Sequence, residues 1–309
     1  KAPPQQKSPM QTRAKTKQNA PPPKLTPTEN GQTAPELVVH DPLNVIEFDS
    51  LKPGEDVDAT VIDAYTTLLT KKVKQMRKEY INQLNNQNNN QNNNQNNNQN
   101  NNQNNNEQNK QTEEFTENQI NSLEKYNKFI ILPTNFFYTL YYLHRYPNPD
   151  EQIDGLMKLP ALKGKRYKDY KHIFIPCNAG GHWILLNVQL ESEIVEIYDS
   201  FNTHCNAEVK LVEKFFINTE ILRYPSKLNR HLIPCPQQQH GTLDCGVFVL
   251  ENLRNLLYEG ADNKGHFRYD MHCIPDIRLR IIRELKKRKL EKNYQYVVDP
   301  NYPPPPANP

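Results

Sequence analysis

From Asn82 to Asn109 the chain is almost entirely Asn and Gln, with a Gln at every fourth position from Gln87 to Gln103 and three Asn between each pair. A stretch of that composition has no apolar face to bury, so it is expected to be disordered. A structureless run this long ordinarily argues against a single compact domain. Its low complexity instead marks an insertion, and lengthening a surface loop adds little closure entropy. Two further polar segments lie at the ends. Residues 1–36 are rich in Pro, Gln, Thr and Lys and carry six Lys/Arg against two Glu, and the chain from Asp299 to Pro309 is rich in Pro. Setting all three aside leaves roughly residues 43–81 and 115–292, enough for one well-packed domain. The expected organisation is a disordered arm over 1–42, a domain over 43–292 interrupted by a disordered insertion at 82–114, and a Pro-rich tail over 293–309.

Composition supports that partition. Only 36% of residues are hydrophobic, mean hydropathy is −0.88, and 25 prolines stand against 10 glycines. A single domain filling all 309 residues could not bury enough apolar surface to offset its ordering entropy. No run approaches the roughly 18–20 apolar residues of a membrane span, and no signal-peptide apolar region follows the basic start, so no membrane association is expected. The sequence opens on Lys1 without an initiator Met, as a fragment of a longer chain does. The five cysteines are odd in number and lack a CxxC, which argues against a disulfide scaffold. An intracellular location, nucleus and/or cytoplasm, fits those thiols. The net charge of +3 resides in the arm (+4) and leaves −1 elsewhere, so it says little about partners, and no nucleic acid is required.

Within the remaining core, helical and strand signals alternate. Val61, Ile62, Tyr65, Leu68, Leu69 and Val73 recur at helical spacing over 58–78, with Asp58 as a candidate cap. Phe129–Leu132 is a short apolar run stopped by Pro133, and 135–144 reads as a helix with Phe136, Phe137, Leu140 and Tyr141 inward. Three β-prone runs come next, at 172–175, 182–189 and 194–198. The segment 243–258 is apolar and helical, and 277–290 is an amphipathic basic helix. The predicted class is mixed α and β, central strands flanked by helices.

Four residues in that core carry chemistry as a set. Cys245 stands at the start of a predicted helix, where the N-terminal end of the dipole stabilises a thiolate, the attacking form of the side chain. Gly246 lets a substrate or neighbouring backbone come close. His182 follows Gly180-Gly181 at the mouth of a strand and is the candidate base. Asp199, before Ser200, ends the next strand; a hairpin would bring it beside His182 to fix the imidazole tautomer. An amide from Gln237, Gln238 or Gln239 can donate to an oxyanion together with the Cys245 backbone N–H. Taken singly, each has a bland counterpart: a small core thiol, a structural histidine, a strand-end turn, a polar loop.

Together, His182-Trp183, Asp199-Ser200, Gln239 and Asp244-Cys245-Gly246 resemble the signature of the ubiquitin-like-protein-specific cysteine proteases, the SUMO-protease (Ulp/SENP) family. The order His, Asp, Gln, Cys matches, as do 17 residues from His to Asp and six from Gln to Cys. That spacing selects Gln239. Phe48–Leu51 and Val57–Ile62 resemble the family's entry helix, 133–140 its second helix, and 271–285, with Pro275 and Arg278, its C-terminal helix. The resemblance implies an α+β, papain-like/adenain-type fold. It also implies a Cys245-His182-Asp199 triad that cleaves after the C-terminal glycine of a ubiquitin-like modifier through a thioester, with Gln239 at the oxyanion. Trp183 would bind the tail. Partners would be SUMO foremost, a Rub-type modifier or ubiquitin, with their conjugates; a monomer needing no cofactor or metal is expected. Members usually hold the Gly-Gly tail between two Trp. Trp183 is the only Trp here, and Asp56 stands where the other is expected. A catalytically weak modifier-binding module, or an acyltransferase using the same triad, are the alternatives.

Elsewhere, His266, His272 and Cys273 lack structural-zinc spacing and read as a surface loop. Cys177, Cys205 and Cys235 read as packing or incidental thiols. Lys286–Lys289 fits a nuclear import signal and a solvated helix end equally well.

Overall fold

Strand alternation sets the architecture. The computed structural model of the protein describes residues 46–96 (the backbone alone over 87–96), 115–203, 205–259, 267–292 and 294–302. Five strands form one mixed sheet in the order β1 (Phe129–Ile131), β2 (His172–Asn178), β3 (Trp183–Gln189), β4 (Ile194–Tyr198), β5 (Asn229–Leu232). β1 and β2 are parallel, β2–β3 and β3–β4 antiparallel, and β4–β5 parallel. Side chains alternate between faces, and the two faces pack into separate cores. Ile173, Ile175, Ile184, Leu186 and Val188 join Phe136, Phe137, Val212 and Phe216 of helices α3 (Thr134–Tyr141) and α5 (Asn206–Asn218). Phe174, Trp183, Leu185 and Tyr198 join α1 (Ala59–Asn96), α6 (Cys245–Arg254) and α7 (Ile274–Lys287) on the other face. α2 (Glu117–Lys125) and α4 (Pro149–Met157) complete the helices. This is an α+β fold with a central mixed sheet flanked by helices, as the resemblance implies.

α1 begins where the sequence places it. Asp58 Oδ1 accepts from the Thr60 N–H at 2.7 Å and from its hydroxyl at 2.6 Å, capping the first turn. All six apolar residues of the expected stripe are buried. The far end differs from expectation, because α1 continues through the first part of the Asn/Gln tract to Asn96. A helix already nucleated by a packed stripe propagates at little cost per residue, whatever the tract would do alone. The arm over 1–42, residues 97–114, His266 and the last Pro run from 303 lie outside the described residues. The chain over 294–302, expected as part of a tail, instead runs back over α7. The Tyr296 hydroxyl donates to Glu251 at 2.5 Å, Val297 N–H donates to Asp276 at 3.0 Å, and Tyr294 also bonds Asp276.

α6 is buried over its whole length, and its charged C-terminal half is matched by α7. Arg254 meets Glu284 and Glu259, each at 2.7 Å, while Arg280 pairs with Glu251 and Tyr65 donates to Glu284 at 2.7 Å. Both arginines, Glu251 and Glu284 are fully removed from solvent. Such a network is costly to bury, and losing one partner strands the others. Glu284→Ala is expected to lower the unfolding free energy by about 3–5 kcal/mol in urea denaturation, and Glu284→Gln, which retains hydrogen-bonding capacity, by less.

Candidate active site

The β3–β4 pairing brings His182 and Asp199 together. Leu185 lies opposite Tyr198, so the residue preceding β3 and the one following β4 meet at the same end of the sheet. His182 Nε2 and Asp199 Oδ1 are 2.6 Å apart. Asp199 is 1% exposed. Its carboxylate also accepts from Phe201 N–H at 2.9 Å and Thr203 N–H at 2.7 Å, as well as from the Thr203 hydroxyl. Burial alone would raise its pKa, but these donors outweigh it and hold the carboxyl well below the usual range.

Cys245 opens α6, which packs across β3 and presents its N-terminus to the same corner. Burial acts to lower the His182 pKa, yet Asp199 and then Cys245 raise it to about 9. Nε2 is committed to Asp199, and Nδ1 has no partner of ordinary hydrogen-bond geometry, which leaves it for the Cys245 thiol. Phe201 lies against the imidazole with ring centroids 4.7 Å apart. The other thiols are poor candidates. Burial pushes Cys205 and Cys235 up to about 12, and Cys177 and Cys273 upward too.

The three consecutive Gln separate by their partners. Gln237 donates to the Cys235 carbonyl at 2.8 Å and the Asp199 carbonyl at 3.2 Å. Gln238 accepts from the Ser200 hydroxyl at 2.8 Å and donates to the Thr242 carbonyl at 3.1 Å. Only Gln239 keeps an amide without a hydrogen bond among the described residues; its carbonyl accepts from Thr242 and steadies the loop.

Trp183 is 5% exposed, and its indole N–H donates to the Val57 carbonyl at 3.0 Å. Both residues press on the first turn of α6. A Cβ on Gly246 would lie 2.6 Å from Val57 Cβ and 3.2 Å from Trp183 Cδ1. The close approach at Gly246, anticipated for substrate or backbone, is made instead by these two side chains. Asp56, just before Val57, is exposed. Asp244, just before Cys245, is 2% exposed and bonds Arg278 at 2.7 Å and the Tyr302 hydroxyl at 2.5 Å. The sequence gives no hint of Tyr302 beyond the recurrence of Tyr294, Tyr296 and Tyr302 in an otherwise polar tail.

His272 Nδ1 contacts the Tyr302 carbonyl at 2.5 Å, and Cys273 is buried. Among the described residues no group of three or more His, Cys, Asp or Glu is arranged to hold a metal ion. No helix among them is long and apolar enough to cross a membrane.

A thiol at a helix N-terminus beside a His–Asp pair on adjacent strand ends is the arrangement of a cysteine-type peptidase. Residues 114–290, more than half of the chain, match the family model of the Ulp1 protease family, C-terminal catalytic domain, and the chain belongs to that family. It is 30% identical over 122 residues to human Sentrin-specific protease 5, covering 38% of this chain and 16% of that protein. It is 33% identical over 157 residues to NEDD8-specific protease 2 of Schizosaccharomyces pombe, covering 46% of this chain and 34% of that one. The chain thus spans well under half the length of these relatives. Among solved structures, it is similar to the C-terminal Ulp1 protease domain in complex with Smt3, the yeast ortholog of SUMO. That likeness has a TM-score of 0.48 at 17% identity, covering 78% of this chain and 81% of that one.

This geometry has two testable outcomes. Gly246→Ala should force Val57 and Trp183 off the α6 N-terminus, costing about 1–3 kcal/mol of stability in denaturant titration. The second concerns pH. His182, raised from 6.5 to about 9, contributes stability that is complete below its ordinary pKa and is lost as pH rises through about 9. Asp199, depressed, contributes stability that is present above the ordinary carboxylate range and lost as pH falls through its folded value. Imidazole NMR should therefore show His182 titrating near 9 in the wild type and lower in both Asp199→Asn and Cys245→Ala.

Proposed function

We propose that this chain is a thiol peptidase that cleaves after the C-terminal glycine of a ubiquitin-like modifier. The observation that carries the proposal is the His182–Asp199 pair at 2.6 Å beside a cysteine that opens a buried helix. Cys245 sulfur attacks the glycine carbonyl, forming the S–C bond. Its proton passes to His182, whose protonated form Asp199 favours. Asp199 holds the imidazole by Nε2, so Nδ1 faces the sulfur and later delivers the proton to the departing amine. The C–N bond then breaks and leaves a thioester. Water, deprotonated by His182, hydrolyses that thioester and releases the modifier with a free carboxylate.

The tetrahedral oxyanion needs donors that are already in position. The first-turn N–H groups of α6 have no intrahelical acceptor, and Asp244 does not cap them, because Arg278 and Tyr302 hold its carboxylate. The Cys245 N–H and the unbonded Gln239 amide supply the two donors. Trp183, fixed by Val57, lines the path of the modifier's glycine tail, which brings no side chain of its own. The relatives' names support modifiers of the SUMO and NEDD8 class as substrates. SUMO is the first candidate, and Asp56 beside the channel is the residue that sets this chain's preference among them.

The test is intact mass after incubation with C-terminally reactive SUMO, NEDD8 and ubiquitin probes. A single adduct on the wild type and none on Cys245→Ala is expected, with the variant still binding the modifier. An adduct on Cys245→Ala, or none on a folded wild type with any probe, overturns the proposal. Gln239→Ala should lower turnover on the order of 10²–10³-fold with little change in KM.

A further inference from the structure

The end of the sheet farthest from His182 carries a second, unassigned cavity. β2 runs antiparallel to β3, so Asn178 pairs with Trp183 at the catalytic end while His172 pairs with Phe129 of β1 at the other. There α1, the turn between α2 and β1, and the loop after the Pro160–Leu162 turn enclose a cleft of about 470 Å³. Lys74 and Arg77 enter it from α1, Lys128 from the turn, and Lys163 and Lys165 from the loop. The loop is built to deliver both lysines: Lys163 and Gly164 take consecutive left-handed conformations (φ 51° and 74°).

These five cations lack the carboxylates that such a cluster ordinarily recruits. None makes an ion pair among the described residues. The cleft's one carboxylate, Asp169, is occupied by Arg166, accepting from its backbone N–H at 2.8 Å and its guanidinium at 3.3 Å. Burial and then the charges of Lys163 and Lys165 push the Lys74 ammonium pKa down. The floor is aromatic, with Lys74 Nζ 5.9 Å from the centre of the Phe129 ring and Lys165 Nζ 5.9 Å from that of Tyr170. Cations gathered from three chain segments, unpaired and mutually repelling around one concave space, are stabilised by an anion seated between them.

We propose that this cleft is a binding site for a compact, multiply charged phosphate ligand. Compactness follows from the layout. The positive groups converge on one cavity, whereas an extended acidic peptide presents same-side carboxylates about 7 Å apart along a line. Lysine supplies point charges and arginine a planar fork, the two groups that phosphate oxygens engage best. Binding depends on neither the triad nor the peptidase reaction.

The test uses the full chain and sodium tripolyphosphate as probe, by calorimetric titration and thermal denaturation at neutral pH, against sodium chloride of matched ionic strength. The wild type should bind one equivalent saturably, gain in Tm, and lose affinity as salt rises. The double variant Lys163→Gln/Lys165→Gln should bind at least tenfold more weakly. Without ligand its Tm should equal or exceed that of the wild type, since a repulsion has been removed, and its turnover of modifier probe should be unchanged. No saturable binding to the wild type at millimolar tripolyphosphate, equal binding by the folded double variant, or tighter binding of an oligo-glutamate peptide than of tripolyphosphate would each overturn the proposal.

Discussion

The corner that gathers Cys245, His182 and Asp199 depends on one buried ion pair, Arg278 with Asp244, 2.7 Å apart and each about 2% exposed in its side chain. Burying such a pair is repaid only if every remaining donor is satisfied. Here they are. Arg278 Nε and Nη2 share Asp244 Oδ1, Nη1 donates to the carbonyls of Ser50 and Lys52, and Nη2 also donates to those of Glu55 and Leu243. One guanidinium therefore fastens α7 to the segment leading into α1 and to the loop that ends at Cys245. It also turns the Asp244 carboxylate away from the first turn of α6. An Asp in that position would ordinarily accept the N-terminal N–H groups and put a negative charge beside the sulfur. Neutralised by Arg278 and held on its other oxygen by Tyr302, it does neither. The first-turn N–H groups of α6 are left without a side-chain cap.

The same helix is fixed at its other end by a separate polar network. Arg254, Arg280, Glu251 and Glu284 lie among apolar side chains with no water to screen them, so their geometry is set by one another and by Tyr65 and Tyr296. A cation at the last turn also complements the dipole of α6. Apolar contacts alone would leave the helix free to slide along β3 by fractions of an ångström, distances that matter to a nucleophile. Two polar anchors, one at each end, remove that freedom. Gly246 removes it sideways by admitting Val57 and Trp183 against the first turn.

Much of the site is legible in the sequence because its information is local. His182 and Asp199 are adjacent through a hairpin whose strands alternate visibly, and Cys245 sits where an apolar helix starts. Among the three Gln, it is the family resemblance, through its six-residue spacing to Cys, that points to Gln239. Its physical basis is a matter of partners, since Gln237 and Gln238 are engaged by Cys235, Asp199, Ser200 and Thr242. What the sequence hides is non-local. The burial of Arg254, Arg278 and Arg280 looks, in a basic helix and its neighbour, like ordinary solvated charge. β5 (Asn229–Leu232) has no apolar alternation to announce it, and it pairs at the sheet edge with backbone bonds to β4. The 294–302 segment reads as tail because Pro dominates the residues after it, yet its three tyrosines each find an acid of the domain, Asp276, Glu251 and Asp244. The near end of the Asn/Gln tract is misread from composition for a related reason. Composition describes what a segment does alone, and residues up to Asn96 extend a helix that something else has nucleated.

Chemistry and recognition therefore rest on different kinds of contact. The sulfur, the imidazole and Asp199 are located by buried, mutually satisfied polar groups that leave little room for substitution. The exposed charges at position 56 and around the far cleft are not held in that way. Asp56 lies exposed one residue before Val57, whose carbonyl anchors Trp183, so the side chain at position 56 can change without disturbing that bond. At the far end of the sheet, Lys74, Arg77, Lys128, Lys163 and Lys165 stand around a cavity whose one carboxylate, Asp169, is taken up by Arg166. A fold that holds its reactive groups by internal pairing can vary charge at its rim at small cost in stability, because exposed charges contribute little to folding. The family model accounts for the class of reaction, and the exposed charges at position 56 and around the second cleft are where this chain can differ in what it recognises.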